Sequence, residues 1–226
     1  MIHLGRRLKL KVPVSSIKKV SASQCGLTIA ECGFQNIKNS MDQSAESIDK
    51  MRPDRNTKTD KSGKPFEMGI SCAEDFASLL EMYRTFSPKP ASQGLPPEDP
   101  EACENWLKTL FRIGLNVLAW RGESVIGHVA LIPDVKGKLG ELVIFVDQNH
   151  RNLGIGTELA RFTLEKSRQS ALELVWLTVR VINSIAIKLY RKVGFEFCDT
   201  DSYERVMAIK LERKLGSAFD TGQMQK

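Results

Sequence analysis

The rhythm of apolar and polar positions changes along the chain, and the change divides it near Lys64. In residues 1–22, Leu8, Leu10, Val12 and Val14 alternate with Lys9, Lys11 and Pro13, a short strand-like signal broken by proline. Residues 35–64 are polar, free of aromatic side chains and without a sustained apolar period, the pattern of a linker or a disordered segment. From Pro65 the pattern becomes regular. Residues 65–72 (PFEMGISC) fit a strand, and Phe76, Leu79, Leu80 and Tyr83 make a helical stripe. Residues 87–100 hold five prolines and read as a loop. Residues 101–111 put Ala102, Trp106, Leu107 and Leu110 on one side of a second helix.

Residues 116–120 and 124–132, joined by a turn at 121–123, predict a hairpin. After a turn within 134–140, residues 141–146 are a strong strand. A helix over 155–168 carries Ile155, Leu159 and Phe162 at spacings of four and three. Residues 172–179 are rich in branched side chains and predict a strand. Residues 184–193 predict a helix stopped by Gly194 as C-cap. Residues 195–198 and 205–211 close the order as a hairpin around TDSYE. The result is β-α-α-β-β-β-α-β-α-β-β, a mixed sheet with helices packed on it. Three segments are expected: a basic extension and flexible linker over 1–64, a folded domain over 65–212 and a loose tail over 213–226.

Composition narrows the class. The chain has 226 residues, 42% apolar and 27% charged, so it can fill one core without help from a metal or disulfide. No stretch approaches the roughly 20 apolar residues of a bilayer span, and the start, MIHLGRRLKLKVPV, does not read as a secretory signal. A cytoplasmic protein without membrane partners is the expectation. Cys25, Cys32, Cys72, Cys103 and Cys198 show no CxxC spacing, and His3, His128 and His150 are far apart, so no metal site is expected. The net charge of +6 is uneven: residues 1–64 hold 13 Lys and Arg against 6 Asp and Glu, whereas residues 65–226 hold 20 against 21. An argument for nucleic-acid binding applies only to the front segment, which has no interleaved aromatics for stacking.

Residues 141–156, ELVIFVDQNHRNLGIG, carry the most chemistry. A strand enters a loop with Arg151, Asn152, Leu153, Gly154, Ile155 and Gly156, and a helix follows. Glycines let the backbone approach a ligand, and a helix start leaves N–H groups unpaired. Together they suit a pyrophosphate, with the Arg151 charge at the rim. A tight turn with close helix–sheet packing is the alternative. GIG is neither GxGxxG nor, with no GK[ST] after it, a Walker A loop.

The pattern RxxGxG between an apolar strand and a helix resembles the signature of the GNAT superfamily of N-acetyltransferases. The later run NSIAIKLYRKVGFEF resembles its second fingerprint, in the family's order. The likeness spans roughly residues 65–211. It implies an acyl-CoA N-acyltransferase-like α/β (α+β) fold, mostly antiparallel, with helices flanking a central sheet whose middle strands splay. It implies acetyl-CoA as donor. The diphosphate would lie on backbone N–H groups of residues 151–156, and the pantetheine arm beside Ile144, Phe145 and Val146. Asn183 would touch the arm or order its loop, and Tyr190 would be the general acid.

Acyl transfer from a thioester makes a thiolate, and a hydroxyl near the sulfur can protonate it. A core tyrosine is the other reading of Tyr190. The amine must lose a proton; Glu141 is the first candidate base, His128 the second, each with a plain structural reading as a solvated strand-start acid or a hydrogen-bonded core histidine. Asp147 and His150 adjoin the cradle and read as loop-shaping residues. Direct transfer in a ternary complex is the simpler route, because no cysteine has a histidine placed near it. The resemblance implies that the acceptor, a small amine or a protein lysine or N-terminus, would meet residues 87–100, the helix around Trp106 and residues 200–204. Trp106 reads as core. Glu98, Asp99, Glu101 and Glu104 either attract a cation or serve a helix start. Two other functions stay open: a non-catalytic acyl-CoA-binding module, and a nucleic-acid or ribosome-associated protein acting through the basic front segment. A homodimer is compatible with either.

Overall fold

The computed structural model describes residues 55–91, 94–134, 136–198 and 203–212. The basic front segment with its strand-like signal at 8–14, and the tail from 213, lie outside the described residues, as do Thr200, Asp201 and Ser202 of the closing turn. The elements are β1 (Asn56–Thr59), β2 (Pro65–Ile70), α1 (Phe76–Thr85), α2 (Pro100–Ile113), β3 (Leu115–Arg121), β4 (Ser124–Pro133), β5 (Leu139–Val146), α3 (Ile155–Ser167), β6 (Leu174–Arg180), α4 (Ser184–Lys192), β7 (Glu196–Phe197) and β8 (Glu204–Lys210). From Pro65 on, this is the expected order.

The sheet has eight strands in the order β1-β2-β3-β4-β5-β6-β8-β7. Every neighbouring pair is antiparallel except β5–β6, which are parallel and joined by the crossover through α3. The sheet starts before the expected boundary. β1 pairs with β2 over four positions, from Asn56↔Met68 to Thr59↔Pro65, so residues 55–64 are an arm of the sheet rather than linker. All four residues of β1 are exposed polar side chains, so no apolar period marks them in the sequence.

Strand alternation sends side chains to two cores. On one face, Leu118, Trp120, Ala130 and Phe145 pack against Leu79, Met82 and Tyr83 of α1 and Trp106, Leu107 and Leu110 of α2. On the other, Val117, Ala119, Val129, Leu142, Val175 and Leu177 pack against Ile155, Leu159 and Leu164 of α3 and Tyr190 of α4. Burial on both faces is why β3 and β4 read as continuous apolar runs.

The helix starts follow local chemistry. Asp99 caps α2 by accepting from the Ala102 N–H at 2.7 Å, with Pro100 just inside. Asn183 caps α4 by accepting from the Ala186 N–H at 3.1 Å. These caps favour the structural reading of the acidic run, as does the pairing of Glu104 with Lys108 at 2.8 Å, which holds the Glu104 carboxyl below its usual range.

The seating of α3 on β4 depends on a missing side chain. A Cβ at Gly127 would stand 2.8 Å from Leu159 Cδ1. Gly127→Val is therefore expected to lower the unfolding free energy by about 1–3 kcal/mol through overpacking, read as an earlier urea midpoint at unchanged slope.

Candidate active site

Along β5 the backbone commitments are lopsided. β5 pairs with β4 over seven positions, from Gly140↔Pro133 to Val146↔Gly127. β6 pairs with β8 over seven, from Leu174↔Lys210 to Arg180↔Glu204. β5 and β6 pair with each other over only three, the last being Glu141↔Trp176. Beyond that position the strands separate, leaving an unpaired edge on β5 inside the sheet.

Which groups face the gap follows from the ladder. The Asp147 N–H donates to the Ile126 carbonyl on the β4 side at 3.0 Å. Alternate residues of a strand send their N–H and C=O the same way. Phe145 and Val143 therefore also point to β4, and past the last paired position Ile144 and Val146 point into the gap. Phe145, expected beside the arm, has its peptide groups toward β4, and its ring packs on Tyr83 and Trp106, each at 5.8 Å. It is a wall of the other core.

The gap opens toward the loop before α3. Asn152 and Gly154 both have left-handed backbone, φ 63° and 90°. Gly154 is the N-cap of α3, and its carbonyl receives the N–H groups of Thr157 and Glu158. No described residue accepts from the N–H groups of Gly154, Ile155 and Gly156. Such a run of donors on a curved backbone fits a diphosphate. Gly156 is demanded by packing, since a Cβ there would lie 2.9 Å from Leu189 Cδ1 of α4.

Arg151, expected at the rim of the cradle, has its guanidinium engaged by two carbonyls. Nε donates to the Val146 carbonyl at 3.1 Å and Nη2 to the Ser87 carbonyl at 2.5 Å, and the group lies 5.1 Å from the Phe86 ring centre. It ties the end of β5 to the proline-rich loop. Asp147 shapes the same turn, accepting from the Asn149 N–H at 3.0 Å and pairing with His150 Nδ1 at 2.8 Å. Asp147 and His150 also line a depression of about 310 Å³ with Glu81 and Glu123.

The other candidates separate by face. Tyr190 lies in the α3–α4 core, 8% exposed, its ring 5.8 Å from Phe195. Burial pushes its hydroxyl up to about 12, so it is a phenol at neutral pH. Glu141 shares strand parity with Phe145 and lies on the α1–α2 face, at the last paired position before the gap. Asn183 is committed as the α4 cap. Cys72 is a thiol, pushed up to about 11 by burial, and burial raises Cys103 as well; Cys25 and Cys32 lie outside the described residues.

His128 is fully buried with both ring nitrogens engaged. Asn116 gives its Nδ2 hydrogens to the Leu110 and Gly114 carbonyls, at 2.9 and 3.0 Å, so its Oδ1 is an acceptor. His128 Nε2, 3.0 Å away, must then carry the hydrogen, and Nδ1 accepts from the Tyr83 hydroxyl at 2.9 Å. Desolvation drives the imidazole down to about 3. This is a neutral structural histidine, not a base.

The family model described as the acetyltransferase (GNAT) family matches residues 76–195, and the chain belongs to that family. Over 59 residues it is 41% identical to a streptothricin acetyltransferase of Streptomyces lavendulae, a match covering 26% of this chain and 31% of that protein. Over 61 residues it is 44% identical to an N-alpha-acetyltransferase of Sulfurisphaera tokodaii, covering 26% and 36%. The chain thus spans only about a third of the length of these curated relatives. The GNAT domain of S. lividans PAT superposes with a TM-score of 0.61 at 14% identity, over 70% of this chain and 97% of that one. The structure of yncA from Salmonella typhimurium with acetyl-CoA superposes with a TM-score of 0.53 at 15% identity, over 66% and 96%. Among the described residues no helix is long and apolar enough to cross a membrane, and no group of His, Cys, Asp and Glu could hold a metal ion.

The buried triad makes a measurable statement. A histidine held neutral in the fold but free to protonate when unfolded stabilises above pH 6.5 and loses that contribution as pH falls from 6.5 toward 3. Nδ1 and Nε2 of His128 should therefore show no titration by NMR between pH 5 and 8. Tyr83→Phe, which leaves Nδ1 without its donor, should cost about 1–3 kcal/mol in urea unfolding.

Proposed function

We propose that the protein is an acetyl-CoA-dependent N-acetyltransferase that moves the acetyl group to a primary amine by direct transfer in a ternary complex. The observation that carries this reading is the end of β5–β6 pairing at Glu141↔Trp176, with the orphan N–H groups of α3 at the mouth of the opening. The N–H groups of Gly154, Ile155 and Gly156 would hold the diphosphate, and the gap-facing peptide groups of Ile144 and Val146 would bind the pantetheine amides as an added strand. Val146 has its N–H to offer, since Arg151 takes its carbonyl. Acetyl-CoA supplies an acyl group already activated as a thioester.

The chain's residues work from two sides of the sheet. The Tyr190 hydroxyl, on the α3–α4 face, makes no hydrogen bond to a described residue and stays protonated until pH approaches 12. It gives its proton to the sulfur as the carbon–sulfur bond breaks, and the proton that the attacking nitrogen sheds in becoming an amide replaces it. Glu141, on the α1–α2 face at the apex of the gap, takes the ammonium proton, directly or through one water, so that the free amine attacks the carbonyl carbon. Asn183 acts on the arm only indirectly, by fixing the start of α4. Acetyl-CoA binding without turnover would follow if Tyr190 served only the core, which is the non-catalytic alternative.

The full chain is tested with a panel of small amines, polyamines, amino acids and peptides with free N-termini or lysines, following thiol release from acetyl-CoA. Turnover with at least one class is expected. Absence of saturable acetyl-CoA binding by folded protein would overturn the reading. Tyr190→Phe should keep acetyl-CoA affinity and lower kcat about 100-fold. Because Tyr190 must be protonated to act, the wild-type rate should rise with pH as the amine and base deprotonate, with no falling limb below pH 10. A falling limb there that Tyr190→Phe removes would assign the acid a lower value than burial gives it.

A further inference from the structure

Arg151, the cation of the sequence motif, donates to the Val146 and Ser87 carbonyls. Another is close by, from outside the matched family region. The turn between β1 and β2 lies against the loop before α3: the Lys61 N–H donates to the Leu153 carbonyl at 3.0 Å. The Lys61 side chain crosses Gly154. Its Cγ and Cε would each lie 3.7 Å from a Cβ at that glycine. The ammonium is one bond beyond Cε, at the end of a stem that runs along this loop. Among the described residues no carboxylate is paired with it.

The surroundings hold Lys61 there. Asp60, 6% exposed, accepts from the Ser62 hydroxyl and N–H, each at 2.7 Å, from the Lys64 N–H at 3.1 Å, and from Arg121 at the end of β3. These donors, Ser62 first, keep it ionised well below the usual carboxylate range. The turn is thus pinned to both the sheet and the α3 loop. The acid in the first turn of α3, Glu158, is paired with Arg161 at 2.7 Å and Lys58 at 3.9 Å, which lowers its repulsion of an anion.

We infer that Lys61 is a donor-binding residue, its ammonium neutralising the diphosphate of the acyl-CoA held on the α3 N–H groups. This rests on the acetyl-CoA reading above. It gives the β1–β2 hairpin, which the motifs do not cover, a share in the cofactor site.

Titration calorimetry of the full chain with acetyl-CoA and with dephospho-coenzyme A, which keeps the diphosphate but lacks the 3′-phosphate, tests it. Lys61→Ala should weaken both ligands by the same factor, roughly three- to tenfold for one exposed charge-assisted contact. Lys61→Arg should restore most of the loss, and the Lys61→Ala affinity should depend less steeply on salt. Lys61 is exposed and its backbone N–H survives substitution, so an unchanged melting midpoint is expected. Equal binding by wild type and Lys61→Ala overturns the inference while leaving the acetyl-CoA reading intact. A loss confined to acetyl-CoA, absent with dephospho-coenzyme A, overturns the diphosphate assignment in favour of the 3′-phosphate. Failure of wild type itself to bind either ligand removes the acetyl-CoA reading first.

Discussion

A buried backbone polar group needs a partner, and the middle of this sheet has groups without one. β5 is bonded along its length to β4, and β6 along its length to β8, so each strand belongs to its own half-sheet. The halves join over three positions and then part. Helix α3, which carries the chain from β5 to β6, cannot close the opening because it packs on the face of the sheet rather than at the strand edge. The same core spans both halves: Leu142 of β5 and Val175 and Leu177 of β6 are buried together with Leu159 of α3. The opening is therefore held between rigid walls, and its unsatisfied amides define where a molecule with amides of its own can lie.

The two faces of the sheet divide the remaining work. On the α3–α4 side Tyr190 is buried among apolar residues, and that burial keeps the phenol protonated. On the α1–α2 side a polar line runs through the core from Tyr83 to His128 to Asn116 and on to the Leu110 and Gly114 carbonyls. It joins α1, β4 and the end of α2 at one point, and every group in it is satisfied. A neutral histidine locked between two partners has no free lone pair for a substrate. Burial acts oppositely on the two groups as sites: it preserves the proton that an acid needs and denies His128 the basicity that a base needs.

Much of the architecture was legible from Pro65 onward because each later element buries an apolar face, and burial writes a period into the sequence. β1 was not, since Asn56, Thr57, Lys58 and Thr59 are exposed polar residues paired with β2 through the backbone. The glycine loop and the tyrosine helix could be found from residue spacing. Side-chain period, however, reports which face a residue takes and says nothing of which neighbouring strand its peptide group addresses. The period of β5 therefore does not tell that the Phe145 peptide groups address β4, while its ring fills the α1–α2 core. The length of the β5–β6 ladder has no local sequence signature either, because it depends on how far each strand is already committed to its outer neighbour.

Charge was the least legible property. Arg151 stands inside the glycine motif, yet a long side chain can reach any acceptor within its radius, and here it donates to the carbonyls of Val146 and Ser87. A guanidinium with several fixed N–H directions suits two carbonyls and stays with them. Lys61 is ninety residues away in sequence but one hydrogen bond away in the fold, brought there by a polar turn whose order depends on the ionised Asp60. A motif fixes the backbone of a phosphate site, whereas the cation beside it is chosen by whichever element the sheet carries to the same end.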